Sequence, residues 1–147
     1  MKHILLVAYS VFILGFISQT VSELDKRNGF QDIKLGYHYK SYKIKNYDKI
    51  NNEYIPEKIY YIGDNVVEVS FRCNSKGFIK CISVKINNDV LPELKKLYGE
   101  PINSSNMVFE YYKWIGDKIS LDYNFSQGLL IYKSTKSIKT DDIKKDL

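Results

Sequence analysis

Alternation of apolar and polar side chains between Met107 and Tyr132 constrains the fold of this 147-residue chain more than any other feature. Two turn sequences divide the stretch. In Ile115-Gly116-Asp117-Lys118 the leading Gly suits a two-residue type II′ turn, and in Phe125-Ser126-Gln127-Gly128 the Gly suits the left-handed residue after a type I turn. The stretch therefore predicts three antiparallel strands.

These turns set a register that sorts the side chains onto two faces. The first turn pairs Trp114 with Ile119, and the second pairs Phe125 with Leu129. The expected core face then holds Val108, Tyr112, Trp114, Ile119, Leu121, Tyr123, Phe125, Leu129 and Ile131. The opposite face holds Lys118, Ser120, Asp122 and Asn124 from the middle strand, and Phe109, Tyr111, Lys113 and Ile115 from its neighbour.

The last four residues form a candidate binding face. They are too apolar for a freely solvated surface, and tyrosine is a favoured contact residue in protein interfaces. An alternative stays open, in which the tyrosine-rich segment 37–42 or the C-terminal tail covers this face. In that case the tyrosines fill the core instead.

A second meander and a helix complete the predicted fold. Strands are expected over Lys58–Ile62, Val66–Cys73 and Phe78–Ile86. Asp89 is the predicted N-cap of a helix over Val90–Tyr98. The fold class is α+β, an antiparallel sheet of about six strands in two three-stranded meanders, with the helix packed on one face. Residues 37–52 fit either helical spacing or the alternation of a strand, and of these we expect a short helix or an irregular turn.

The N-terminus predicts a signal peptide. Met1-Lys2-His3 precedes an apolar run from Ile4 to Ile17, which is shorter than the roughly 20 residues of a spanning helix. Small residues before Glu23 place the cleavage after Ser22. Residues 1–22 are thus the expected signal peptide, 23–133 a single domain, and 134–147 a polar tail. The expected localisation is secreted or periplasmic, and an uncleaved membrane anchor is the alternative. Residues 23–28 are expected to be a loose lead-in.

Cys73 and Cys81 predict a disulfide, because an exported chain with an even number of cysteines usually bonds them. A type I turn with a bulge at Gly77 leaves the two cysteines diagonal, at about 7 to 8 Å. Pairing Phe71 with Ile82 instead puts the sulfurs on opposite faces, and only a longer loop places them directly opposite each other. We take the disulfide as the stronger constraint on the register.

Catalytic signatures are not found. Only His38 remains after removal of the signal peptide, and the sequence has no Gly-x-Ser-x-Gly nucleophile elbow. One His and two paired Cys cannot fill a tetrahedral zinc site. Glu110 has no identifiable carboxylate partner for glycoside hydrolysis. We therefore expect no enzymatic activity, no metal and no cofactor.

The net charge of the chain and its distribution indicate which classes of partner to expect. The formal net charge is +5, and basic and acidic residues are interleaved along the chain. This pattern favours general attraction to an acidic protein, an anionic glycan or a membrane surface. Nucleic-acid binding is not expected, because it would need a concentrated basic stripe.

Core and turn positions carry a resemblance to known proteins. The pattern consists of Phe30-x-x-Ile33-x-Leu35-Gly36, Leu94-x-x-Leu97-Tyr98-Gly99-x-Pro101, Tyr112-x-Trp114 and Ile119-x-Leu121-x-Tyr123. It resembles small exported bacterial domains of unknown function and is loosely similar to outer-membrane assembly lipoproteins and β-lactamase-inhibitor proteins. Members of these groups mostly bind proteins, so the resemblance implies a protein partner. The lipoprotein cysteine is missing from the leader of this chain.

Together these features predict an exported, non-catalytic domain that binds a macromolecular partner as an inhibitor, immunity or envelope factor. The alternative is a secreted glycan-binding or glycan-degrading protein.

Overall fold

The computed structural model describes residues 22–103 and 110–135. Within these ranges, residues 22–27 are helical (α1), and Tyr39–Ser41 form a 3-10 turn (η1). A second helix, α2, spans Leu91–Tyr98. The strands are β1 Gly29–Phe30, β2 Ile33–Lys34, β3 Ile44–Asp48, β4 Glu53–Pro56, β5 Tyr60–Ile62, β6 Asn65–Cys73, β7 Ile79–Lys85, β8 Ile102–Asn103, β9 Tyr111–Ile115, β10 Ile119–Asn124 and β11 Leu129–Ser134.

Nine of these strands form one antiparallel sheet. Eight follow the order β3-β4-β6-β7-β11-β10-β9-β8, and β5 pairs with β6 off this path. Strands β1 and β2 form a separate hairpin. The last strands of the two predicted meanders, β7 and β11, pair with Val84 opposite Leu130 and join both meanders into one sheet. The antiparallel α+β class is confirmed, and β3 and β4 extend the sheet beyond the expected strands.

One face of the sheet carries the core. Alternate residues of β6, namely Val67, Val69 and Phe71, are buried there. The elements packed against this face are α1, the β1–β2 hairpin, η1 and α2, through side chains that include Leu24, Phe30, Tyr39 and Leu94. We call this side the covered face.

Helix α2 begins one residue later than predicted, with Val90 and not Asp89 at the N-cap position, and it packs against the sheet as expected. The Asp89 carboxylate accepts a hydrogen bond from the Leu91 backbone N–H at 2.9 Å. Leu94 and Tyr98 are buried. The Trp114 indole donates to the Gly99 carbonyl at 2.9 Å, so the end of the helix is fixed to β9.

The register of β9 and β10 differs from the expected one by two residues. Trp114 pairs with Leu121, not with Ile119, because four residues, 116–119, separate Ile115 from Ser120, the first residues that pair. A shift of two residues keeps every side chain on its original face, since side chains alternate with a period of two. Trp114 and Leu121 are therefore both buried on the covered face, as predicted.

Asp25 explains the longer loop. Its carboxylate accepts backbone N–H groups of Asp117, Lys118 and Ile119 at 2.8, 2.9 and 3.0 Å. A Cβ atom at Gly116 would collide with the same carboxylate. The expectation of a loose lead-in over 23–28 is wrong, because Leu24 is fully buried and Asp25 caps this turn.

The register of β10 and β11 differs by one residue, which reverses a face. Tyr123 pairs with Leu130, not with Ile131. Leu130 and Tyr132 are consequently buried, while Leu129 and Ile131 point to the other side of the sheet. The Asn124 side chain closes the four-residue loop by accepting from the Gln127 N–H at 3.1 Å. The predicted core positions of Leu129, Ile131 and the exposed Phe125 are thus wrong, and that of Val108 lies outside the described residues.

The predicted disulfide is also wrong, since Cys73 and Cys81 are both free thiols. Phe71 pairs with Ile82, and a bulge follows between Arg72 and Cys73. Cys73 therefore lies on the covered face, whereas Cys81 lies on the other. Burial of a complete apolar face decided the register, because a disulfide across so short a loop adds little stability.

Residues 37–52 form a 3-10 turn and a strand where a short helix or irregular turn was expected. Tyr39 and Tyr42 pack against the core cluster on the covered face. The tyrosine-rich segment therefore does not cover the candidate binding face.

Candidate binding surface

The sheet side opposite the covered face has no element packed on it within residues 22–103 and 110–135, and we call it the open face. Tyr111, Lys113 and Ile115 lie there beside Asn124, Asp122 and Ser120, as the alternation in β9 and β10 predicts. Phe109, the fourth residue of the candidate binding face, lies outside the described residues.

Strand pairing arranges the open face in three rows across β9, β10, β11, β7 and β6. The rows are Ile115–Ser120–Lys133–Cys81–Arg72, Lys113–Asp122–Ile131–Ser83–Ser70 and Tyr111–Asn124–Leu129–Lys85–Glu68. An aliphatic side chain stands beside a charged one in the second and third rows, whereas Ile115 of the first row stands beside Ser120. The open face is thus amphipathic along its whole width.

The β9 side of this face combines an exposed aliphatic residue with a charge pair. Ile115 is 51% exposed. Lys113 Nζ lies 3.5 Å from Asp122 Oδ1, and both side chains are partly exposed. Asp122 Oδ1 has no hydrogen-bond partner among the described residues although it is buried. Among the described residues, this oxygen is therefore balanced by the Lys113 ion pair and not by a hydrogen bond.

Toward β4 and β5 the open face becomes concave. A depression of about 500 Å³ opens where these two strands diverge along one edge of β6. Its lining includes Ile55, Ile59 and Val66 together with Lys45, Lys85, Glu53 and Glu68. Apolar contact area and charges of both signs therefore extend along the face to the far edge.

Cys81 occupies a cationic position on the open face. It pairs with Arg72 on one side and Lys133 on the other, and Arg72 Nη2 lies 3.7 Å from its sulfur. The thiol is buried, as is that of Cys73 on the covered face, where burial raises the pKa to about 11. Cys73 is therefore a thiol at neutral pH and a poor nucleophile.

His38 is part of an aromatic stack on the opposite side of the sheet. Its ring lies 4.8 Å from Tyr39 and 5.3 Å from Phe78. The stack continues to Tyr54 and Tyr47 at 4.7 and 4.6 Å. Sequence reasoning missed this cluster, although aromatic and lysine residues interleave from 37 to 49. Among the described residues, no group of three or more His, Cys, Asp or Glu side chains could hold a metal ion.

Two buried tyrosines have raised pKa values. Burial raises the pKa of Tyr123 to about 12, and the Asp89 carboxylate, which accepts its hydroxyl at 3.2 Å, adds to the shift. Burial also raises the pKa of Tyr132 well above its ordinary value. These phenols stay protonated near neutral pH and are structural.

No protein-family model, curated protein or solved structure matches this chain significantly. The resemblance to exported bacterial domains therefore stays a prediction. Among the described residues, no helix is long and apolar enough to cross a membrane.

Proposed function

We propose that this protein is an exported, non-catalytic binding domain that engages a protein partner through the open face. The observation that carries this proposal is the shared face of Tyr111, Lys113 and Ile115, on which no described element packs. Tyrosine provides a large contact area at low entropic cost, and a flanking charge pair gives orientation.

The mixture of side chains supports a protein partner. Protein interfaces place aromatic and aliphatic anchors at the centre and satisfied polar groups around them. On the open face, Ile115 and Ile131 flank the Lys113–Asp122 pair within adjacent rows. A partner that covers this face would remove its apolar surface from water, which favours binding.

Affinity capture followed by reconstitution tests the proposal. The exported chain is immobilised, partners are identified by mass spectrometry, and the best candidate is purified for calorimetry. Tyr111→Ala removes an aromatic contact, and Ile115→Asp removes an aliphatic contact and places a charge in the interface. Each should therefore weaken binding at least about tenfold. The matched control is Leu97→Asp, which alters an exposed aliphatic residue of α2 on the covered side.

Retained affinity in both open-face variants, with loss in Leu97→Asp, would place the partner elsewhere. Turnover of a cell-wall polysaccharide by the purified chain would replace the proposal with the glycan-degrading alternative. Circular dichroism of each variant checks that the fold is intact.

A further inference from the structure

Three turns of the molecule lie at one end of the sheet. Tyr54 pairs with Phe71, which sets the β3–β4 turn (49–52) beside the β6–β7 turn (74–78). Cys81 pairs with Lys133, and Ser134 pairs with Ile119, which brings the β9–β10 loop (116–119) to the same end. We call this end, including η1, the turn end.

An isoleucine stands at the tip of the first turn. Ile50 is 95% exposed, so no neighbouring side chain shields it. Its turn is held by polar groups: Asp48 Oδ1 accepts the Ile50 N–H at 2.9 Å, and Tyr47 donates to Asn52 Oδ1 at 2.7 Å. The fold does not need the Ile50 side chain, yet the turn projects it into solvent in a fixed direction.

Exposed aromatic residues accompany Ile50 at the turn end. Phe78 and Tyr47 are the two outer rings of the aromatic stack and are the exposed ones. Tyr37 is exposed beside them, and its carbonyl accepts the Ile79 N–H. Amphipathic rings of this kind favour the region between water and hydrocarbon.

Lysines surround these apolar tips. The exposed ones on the turns and on η1 are Lys40, Lys49, Lys76 and Lys118. Against these four lysines, α1 places Asp25 on the β9–β10 loop, and β3 ends in one acid beside the first turn. That acid, Asp48, is engaged in its own turn, where hydrogen bonds from Asn51 and Ile50 lower its pKa. Asp117 is the exposed acid of the β9–β10 loop.

We propose that the turn end docks on an anionic lipid bilayer, with Ile50 in the acyl boundary and the lysines at the phosphates. The exposed isoleucine favours a bilayer over a polysaccharide as the partner. A polysaccharide offers no apolar phase in which to bury isoleucine, whereas a bilayer does, and anionic headgroups attract clustered lysines. Docking by one end leaves the open face accessible, so this inference is independent of the proposed protein partner.

Vesicle sedimentation tests the docking with the protein recovered after export, its mass checked for loss of residues 1–22. The chain should sediment with vesicles of phosphatidylcholine mixed with phosphatidylglycerol, less as salt increases, and not with phosphatidylcholine alone. Ile50→Asp and the double variant Lys49→Glu, Lys76→Glu should each lower the partition coefficient about tenfold or more.

Matched controls use the same residue types elsewhere. Ile59 is 62% exposed in the link between β4 and β5, and Lys96 is exposed on α2. Ile59→Asp and Lys96→Glu should sediment like the natural protein. Equal loss in these variants would reduce the effect to net charge and overturn the proposal, as would full binding by Ile50→Asp.

A fluorescent reporter gives the depth of the tip. The only tryptophan of the chain, Trp114, is buried, so Ile50→Trp adds one exposed indole against a constant background. Its emission should shift to the blue when mixed vesicles are added. An unchanged spectrum, or binding to a soluble sulfated polysaccharide that Ile50→Asp does not weaken, would show an electrostatic polyanion site instead and contradict docking on lipid.

Discussion

At the scale of single residues, Asp25 does more for the fold than its sequence context suggests. It lies in a stretch of alternating charges that reads as solvated, and its three hydrogen-bond donors are more than 90 residues away. Local sequence patterns cannot predict these hydrogen bonds, because the bonds join residues that are far apart in the chain. Gly116, in contrast, was recognised as a turn residue, although its need for space comes from Asp25 and not from a positive φ.

A double-mutant cycle tests this pair. Asp25→Ala should lower the free energy of unfolding by about 2 kcal/mol, since it removes charge-assisted hydrogen bonds to the loop. Gly116→Ala should destabilise the natural protein through its clash with the carboxylate, but cost little in the Asp25→Ala background.

Urea unfolding followed by Trp114 fluorescence measures both effects. Asp64→Ala, at an exposed aspartate in the β5–β6 turn, is the control and should change stability by less than about 0.5 kcal/mol. Additive effects of Asp25→Ala and Gly116→Ala would contradict the contact.

At the scale of elements, the alternation of apolar and polar residues predicts which sheet face a side chain lies on better than it predicts which residues pair between strands. The described positions of β9 and β10 lie on the predicted faces, because both strands alternate clearly between apolar and polar residues. The face of β11 was wrong, since Leu129 through Tyr132 are all apolar and the loop alone decides which pair is buried. The same limit applies to the candidate site. Tyr111, Lys113 and Ile115 could be placed on one face because they alternate within a single strand. The aromatic stack could not be predicted, because it depends on contacts between distant elements.

The separation of the two cysteines by the β6–β7 register can be tested chemically. Without any reductant, the unfolded protein should react with two equivalents of a thiol reagent, because both cysteines are free. The folded protein should react slowly, since both thiols are buried and burial hinders reaction of a thiol. Reductant should leave the urea midpoint unchanged. Absence of titratable thiols, together with loss of stability on reduction, would support the disulfide register.

At the scale of the whole molecule, tyrosine hydroxyls are distributed through one continuous core. Tyr98 and Tyr132 lie between α2 and the sheet, Tyr123 lies beside Asp89, and Tyr60 lies near β1, where its ring is 6.0 Å from Phe30. Burial raises the pKa of each. The folded protein therefore holds these protons more tightly than the unfolded chain does.

Stability should consequently fall in alkaline solution. Unfolded tyrosines titrate near about pH 10, so the contribution of each phenol is complete below that pH and is lost as the pH rises through the folded value. For Tyr123 this window ends at about 12. Each such tyrosine should lower the free energy of unfolding by up to about 1.4 kcal/mol per pH unit within its window.

Urea midpoints measured at a series of pH values give the slope, and Tyr123→Phe should make it shallower. A free energy of unfolding that stays constant above pH 10 would mean that these hydroxyls reach water in the folded state.

The burial of Leu24 has a consequence for the order of events in biogenesis. Under the export that we propose, a chain threaded out from its N-terminus delivers Leu24 long before Ile119, whose backbone N–H binds the neighbouring Asp25. Closing so long a loop is entropically costly until the second meander exists. Residues 22–27 would thus stay undocked until Ile119 has crossed, and the chain would remain unfolded and transportable until then.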